Sequence, residues 1–216
     1  MSTIDALPLP DAETWQDLRT FALRAKRLDE SGAIRLSVTG NVLAVIVAPL
    51  YGSFLGDPMP TVLGMRTLRV VDGTVDGLDA VVSLASMTDR FARGLPGDLL
   101  LPVPPTQVHA PWAGITPPRG GWEHGGGVAA DILIAEAKQG IDSVAGALPD
   151  RPGAPVLSEV RRHVWGEPVA GMDIPRGAAF AADGLGFLTP GEIVATFAAG
   201  PWQRISTDRG HVLARG

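Results

Sequence analysis

Residues 34–48 read IRLSVTGNVLAVIVA, and the order of apolar and polar residues in that stretch decides the fold class. Ile34, Leu36 and Val38 alternate with Arg35, Ser37 and Thr39, the period of a half-buried strand. Gly40-Asn41 follows, a two-residue hairpin signal of the II′ kind with glycine first. The return segment, Val42 to Ala48, is apolar on both faces and is expected to be a central strand covered on both sides.

Working outward, the same reading gives further elements. On the N-terminal side, Trp15, Leu18, Ala22, Ala25 and Leu28 recur at three- and four-residue intervals. They predict an amphipathic helix over 12–28, with Asp11 as N-cap and Glu13 adding negative charge to the first turn. On the C-terminal side, 61–71 reads as a third strand and 79–84 as a fourth. Residues 86–93 read as a short helix capped by Ser86. Beyond a long central segment, 128–148 reads as a helix with Asp131 in its first turn. Pro155 opens a helix to Trp165, and Pro175 opens another toward Leu185. Residues 192–199 are an apolar strand, and 202–206 with 211–215 form a closing hairpin. Strands cluster instead of alternating with helices. The expected class is α+β, with a mostly antiparallel sheet: an N-terminal four-strand meander and C-terminal hairpin strands, packed with three to four helices. The expected organisation is a single domain, 1–216, with 104–127 as the place where it would subdivide.

Bulk composition narrows the function classes. The chain has 216 residues and a net charge of −5. It has no cysteine, which excludes disulfide scaffolds, thiolate zinc sites, iron–sulfur clusters and cysteine nucleophiles. Arg24, Lys26 and Arg27 sit at the end of the first helix, where cations offset the negative pole of its dipole. The acidic balance and the lack of interleaved basic and aromatic residues argue against nucleic acid. The apolar run from Val42 to Tyr51, interrupted by Pro49, falls short of the ~20 residues of a membrane helix. The N-terminal MSTIDALPLPDAE shows no charged-then-apolar leader. The expectation is a cytoplasmic protein with no membrane association, no metal and no cofactor.

Chemistry-bearing residues concentrate in 104–127, PPTQVHAPWAGITPPRGGWEHGGG. The segment holds two of the five tryptophans and two of the four histidines. Structureless connections longer than about a dozen residues are usually functional or disordered, and the aromatic content argues against disorder. Pro117 and Pro118 stiffen the approach to Arg119. Arg119 could lie over Trp122 in a cation–π contact, or pair with Glu123. His124 to Gly127 matches the HGGG oxyanion element of esterases by letters, but the G-x-S-x-G elbow that must accompany it is absent. Gly125 to Gly127 before a helix could attract an anion, but no phosphate-loop or dinucleotide fingerprint is present. The simpler reading is a flexible linker capped by Asp131. His109, His124, His163 and His211 have no metal-ligand spacing. Ser206, Asp208 and His211 lie across the final hairpin turn, where proximity follows from the turn whatever their role.

Three strings together resemble a family of uncharacterised actinobacterial proteins. They are Thr61 to Gly64 (TVLG), Trp112 to Glu123 (WAGITPPRGGWE) and Gly200 to Leu213 (GPWQRISTDRGHVL). The resemblance covers most of the chain, and it implies no activity and no site residues. The leading expectation is therefore a non-catalytic protein acting through a protein partner or a homodimer surface. The alternative is an anionic-metabolite binding protein or enzyme. There Arg119 would bind the anion, Trp122 would wall the pocket, and Glu123 or His124 would move a proton.

Overall fold

Thr39 and Val42 face each other across Gly40-Asn41 in the computed structural model, which describes residues 5–54, 56–71, 73–94, 98–149, 151 and 153–216. Gly40 has φ 58, the left-handed value that the first corner of a type II′ turn requires. The described residues hold five α-helices and ten strands, an α+β fold built on antiparallel pairing. Internal contacts group the chain into two units. One comprises Met1–Pro49 and Met65–Ile115, the other Leu50–Gly64 and Thr116–Gly216.

In the first unit, β2 (Ala33–Thr39) lies between β3 (Val42–Leu50) and β5 (Asp79–Ser83), antiparallel to both. Ile34, Leu36 and Val38 are buried, as their alternation requires. In β3, Leu43, Val45 and Val47 are buried while Ala44 and Ile46 are half-buried, so its two faces are not covered equally. Helix α1 (Ala12–Leu28) starts at Asp11, whose carboxylate accepts from Thr14 N–H at 2.7 Å. These hydrogen bonds hold the Asp11 carboxyl below its ordinary value of 3.8. Helix α2 (Leu84–Arg93) packs on α1, with Trp15 and Phe91 edge to face at 5.3 Å between centroids. Its cap is Ser83, not Ser86: the Ser83 hydroxyl accepts from Ser86 N–H at 3.0 Å. Ser86 occupies the third helical position and receives the cap instead of supplying it. Two three-residue strands, β1 (Ala6–Pro8) and β6 (Leu100–Pro102), pair with each other through Leu7 and Leu101.

The second unit supplies the scaffold for the candidate site. Its strands run β10 (Gly210–Arg215), β9 (Trp202–Thr207), β8 (Ile193–Ala199), β7 (Glu123–Ala129) in spatial order. Strand β4 (Thr61–Arg69) neighbours β10, and its first four residues belong to this unit. Helices α3 (Ala130–Ala147), α4 (Ala154–Gly166) and α5 (Arg176–Gly184) pack together. Trp165 stacks on Phe180 at 4.4 Å and 27°. Arg176 joins the three helices: its Nε donates to Glu136 at 2.9 Å and its Nη1 to Glu167. Asp57 is anchored in the same unit. It accepts from Arg162 Nε at 2.7 Å and from the Ser53 and Met59 N–H groups, which hold its carboxyl well below the usual carboxylate range.

The triple glycine corrects the sequence reading. Gly125 to Gly127 are not a linker before a helix but the middle of β7, and the helix begins at Ala130 instead of Val128. A bulge between His124 and Gly126 absorbs one residue against β8, and Gly126 has φ 105. The glycines are needed for close approach. A Cβ at Gly127 would lie 2.7 Å from Ile193 Cγ2, and one at Gly125 3.1 Å from Thr196 Oγ1. Asp131 does not cap its own helix; its carboxylate accepts from Gly191 N–H at 2.9 Å.

Two glycines of α3 provide a matched test of helix packing. A Cβ at Gly140 would sit 2.3 Å from Trp165 Cζ3, whereas nothing lies within 4 Å of one at Gly146. Gly146→Ala is expected to raise stability by up to ~1 kcal/mol through helix propensity. Gly140→Ala is expected to lower it by about 1–2 kcal/mol, because overpacking outweighs the same propensity gain. Urea unfolding of both variants checks the opposite signs.

Candidate functional site

The register of the second unit places chemically distinct residues in two rows on one sheet face. His124 faces Phe197, Phe197 faces Arg204, and Arg204 faces Leu213. The next row on the same face has Ala195 opposite Ser206 and Ser206 opposite His211. Side chains alternate across a strand, so the opposite face carries Val194, Thr196, Ile205 and Val212, all buried. The face with Arg204 is half-buried at Phe197, Ser206 and His211.

Arg204 is the electrostatic centre of this face. Its guanidinium carbon lies 4.5 Å from the centroid of the Trp122 ring and 4.2 Å from that of Phe197. Each such contact attracts by roughly 0.5–2 kcal/mol, according to how far it is desolvated. Trp122 is fixed by its own indole N–H, which donates to the Pro118 carbonyl at 3.1 Å. His124 meets Phe197 edge-on at 5.3 Å and 80°. No hydrogen bond or carboxylate among the described residues satisfies Arg204, and its Nε is buried without a partner. Burial pulls the Arg204 guanidinium below its ordinary value of 12.5, though an arginine still carries its charge at neutral pH. The result is a cation held by aromatic rings whose Nε–H is enclosed without an acceptor among the described residues.

Beside it, His211 Nδ1 lies 3.0 Å from Ser206 Oγ. Burial, and then the charge of Arg204, push His211 below its ordinary value of 6.5. At neutral pH the ring is uncharged, with one nitrogen free to accept a proton. Asp208 is exposed in the turn and has no hydrogen bond to His211 among the described residues. The hairpin therefore assembles Ser206 and His211 without the acid that its sequence also offers.

The residues singled out from the sequence are divided by the fold. Trp122 and His124 join the face. The cation over Trp122 is Arg204, not Arg119. Arg119 is exposed, and Glu123 is exposed one residue away from His124, on the other side of the pleat. No ion pair joins Arg119 to Glu123 among the described residues. Arg204 and Phe197 were missed. One signal was legible: in WQRIS, Trp202, Arg204 and Ser206 share one strand face while Ile205 holds the other. The described residues contain no group of three or more His, Cys, Asp or Glu side chains able to hold a metal ion, and no helix long and apolar enough to cross a membrane.

An arginine that serves mainly to pack would be missed on truncation; one kept for a ligand would not. Arg204→Met keeps the aliphatic bulk, loses the two ring contacts and removes the unsatisfied Nε–H, whose burial costs ~1–3 kcal/mol. These effects are expected to offset, leaving stability within about 1 kcal/mol of the parent in denaturant unfolding. A loss well beyond that would assign Arg204 to the scaffold.

Among curated proteins, none matches the chain. Family models match it in two adjoining segments: residues 117–216 match a domain of unknown function, DUF8185, and residues 2–114 match another, DUF8010. The second segment, 117–216, contains every residue of the Arg204 face. The chain belongs to the DUF8010 family, with a DUF8185 domain following it.

Proposed function

We propose that the protein binds a small anion-bearing metabolite, a carboxylate or phosphate, on the sheet face of its second unit, with Arg204 as the receptor. The observation that supports this reading is a half-buried guanidinium flanked by Trp122 and Phe197 with no acidic partner among the described residues. Proteins usually pair a buried charge, because an unpaired one is strongly unfavourable. An anionic ligand would pair the charge through the terminal Nη groups, since Nε is enclosed by the protein, and the two Nη atoms suit bidentate contact with carboxylate or phosphate oxygens. Trp122 and His124 then form the wall of the site.

At a hundredfold excess over Kd, such a ligand stabilises the fold by ~2.7 kcal/mol. For a chain this size that corresponds to a melting-point rise of about 5–10 °C. Thermal unfolding with inorganic phosphate and with succinate is expected to show the rise for the parent and for Arg119→Ala, and to lose it in Arg204→Met. A rise that persists in Arg204→Met would place binding elsewhere.

A second reading, a self-association surface, is favoured by one observation. Strand β7 is last in its spatial order, and Ile193, at its end of the neighbouring strand, is 73% exposed. An unpaired strand edge with adjacent apolar surface suits pairing with another chain. Light scattering after size exclusion is expected to give a dimer mass that reverts to monomer in Ile193→Lys. A monomer at all concentrations removes this reading.

A further inference from the structure

Ser206 and His211 lie on the same face as Arg204, and nothing in the anion reading uses them. They occupy directly opposed positions on β9 and β10, so the hairpin ladder, not a mobile loop, sets their 3.0 Å separation. Arg204 is two residues from Ser206 on β9, roughly 7 Å along the strand. A hydroxyl within hydrogen-bond reach of an imidazole, with a cation one step away on the same strand, places a nucleophile beside its base.

We propose that Ser206 is a nucleophile and His211 its base, acting on an activated acyl ester whose acyl chain carries an anionic group that Arg204 holds. This rests on the reading of Arg204 as an anion receptor. Ser206 Oγ would attack the carbonyl carbon as its proton passes to His211 Nδ1. The bond from the carbonyl carbon to the leaving oxygen then breaks, and the leaving alcohol takes the proton from His211. Water, deprotonated by the same imidazole, hydrolyses the acyl-serine and restores the hydroxyl, so the sequence consumes one water and needs no other reactant. His211 stays uncharged at neutral pH because it is partly buried and near a cation, which leaves it competent as a base. The rows supply no acid for its other nitrogen among the described residues, so the dyad is expected to acylate readily and turn over slowly.

The test uses the full chain with two activated esters, neutral 4-nitrophenyl acetate and anionic 4-nitrophenyl hydrogen succinate, read by intact mass and peptide mapping. The expected result is a single acyl group on Ser206, absent in Ser206→Ala. In His211→Gln, which keeps a polar side chain in the pair, acylation is expected to slow roughly 100-fold, the lower range for loss of a positioned base. The succinyl ester is expected to react faster than the acetyl ester, and that preference is expected to vanish in Arg204→Met. Ser206 left unmodified, or modified at the same rate in His211→Gln, overturns the dyad even where phosphate still stabilises the protein. Acylation of Ser206 with no succinyl preference retains the dyad and overturns Arg204 as its anion receptor.

Discussion

A guanidinium held by two aromatic rings, with no carboxylate partner among the described residues, is the constraint on which the proposed binding face of the second unit depends. Ring contacts of roughly 0.5–2 kcal/mol each attract a cation but do not replace the hydrogen bonds it leaves in water. Three other arginines are engaged by carboxylates: Arg35 reaches Asp79 and the Ala113 carbonyl, Arg162 reaches Asp57 and Glu159, and Arg176 reaches Glu136 and Glu167. Arg204 is different in kind. Its aromatic contacts are made and its N–H groups have no acceptor among the described residues, the preorganisation that the proposed anion receptor requires.

Precise placement of that face follows from strand register. The turn after Thr207 aligns β9 with β10, and this sets Ser206 against His211 and Arg204 against Leu213. Pairing with β8 brings Phe197 to Arg204, and the bulge in β7 brings His124 to Phe197. A shift of one residue in any pair would exchange the polar face for the buried one, so the apolar residues Val194, Ile205 and Val212 fix the site as firmly as they fix the core. The helices contribute differently. Gly140 permits the approach of Trp165, Gly177 permits that of Leu50, and Arg176 ties the three helices together.

Much of the fold was legible where local signals and tertiary demands agree. The bounds of α1 and its Asp11 cap, the Gly40-Asn41 hairpin and the C-terminal hairpin are examples, each carrying period and terminus in the same few residues. The three-residue strands β1 and β6 were not legible, because they are too short for alternation and depend on a partner more than ninety residues away. Strand β7 was misread because glycine has no strand propensity; the need for glycine comes from Ile193 and Thr196 on a neighbour distant in sequence. The candidate site was legible in part. Trp122 and His124 stood out by composition within 104–127, but their partners Phe197 and Arg204 lie some eighty residues on, and only the ladder brings them together. Arg119 drew attention as the cation next to Trp122 in sequence, and Arg204 holds that place in space.

The most direct measurement is side-chain nitrogen NMR of Arg204 in the full chain, following its terminal Nη–H resonances as inorganic phosphate or succinate is added. A free guanidinium waiting for an anion gives a signal that shifts to saturation, slows its exchange with water, and leaves the Arg119 signal in place. Terminal Nη–H signals that ignore both anions, or that are already hydrogen-bonded in their absence, would contradict the view of Arg204 as an unpaired receptor.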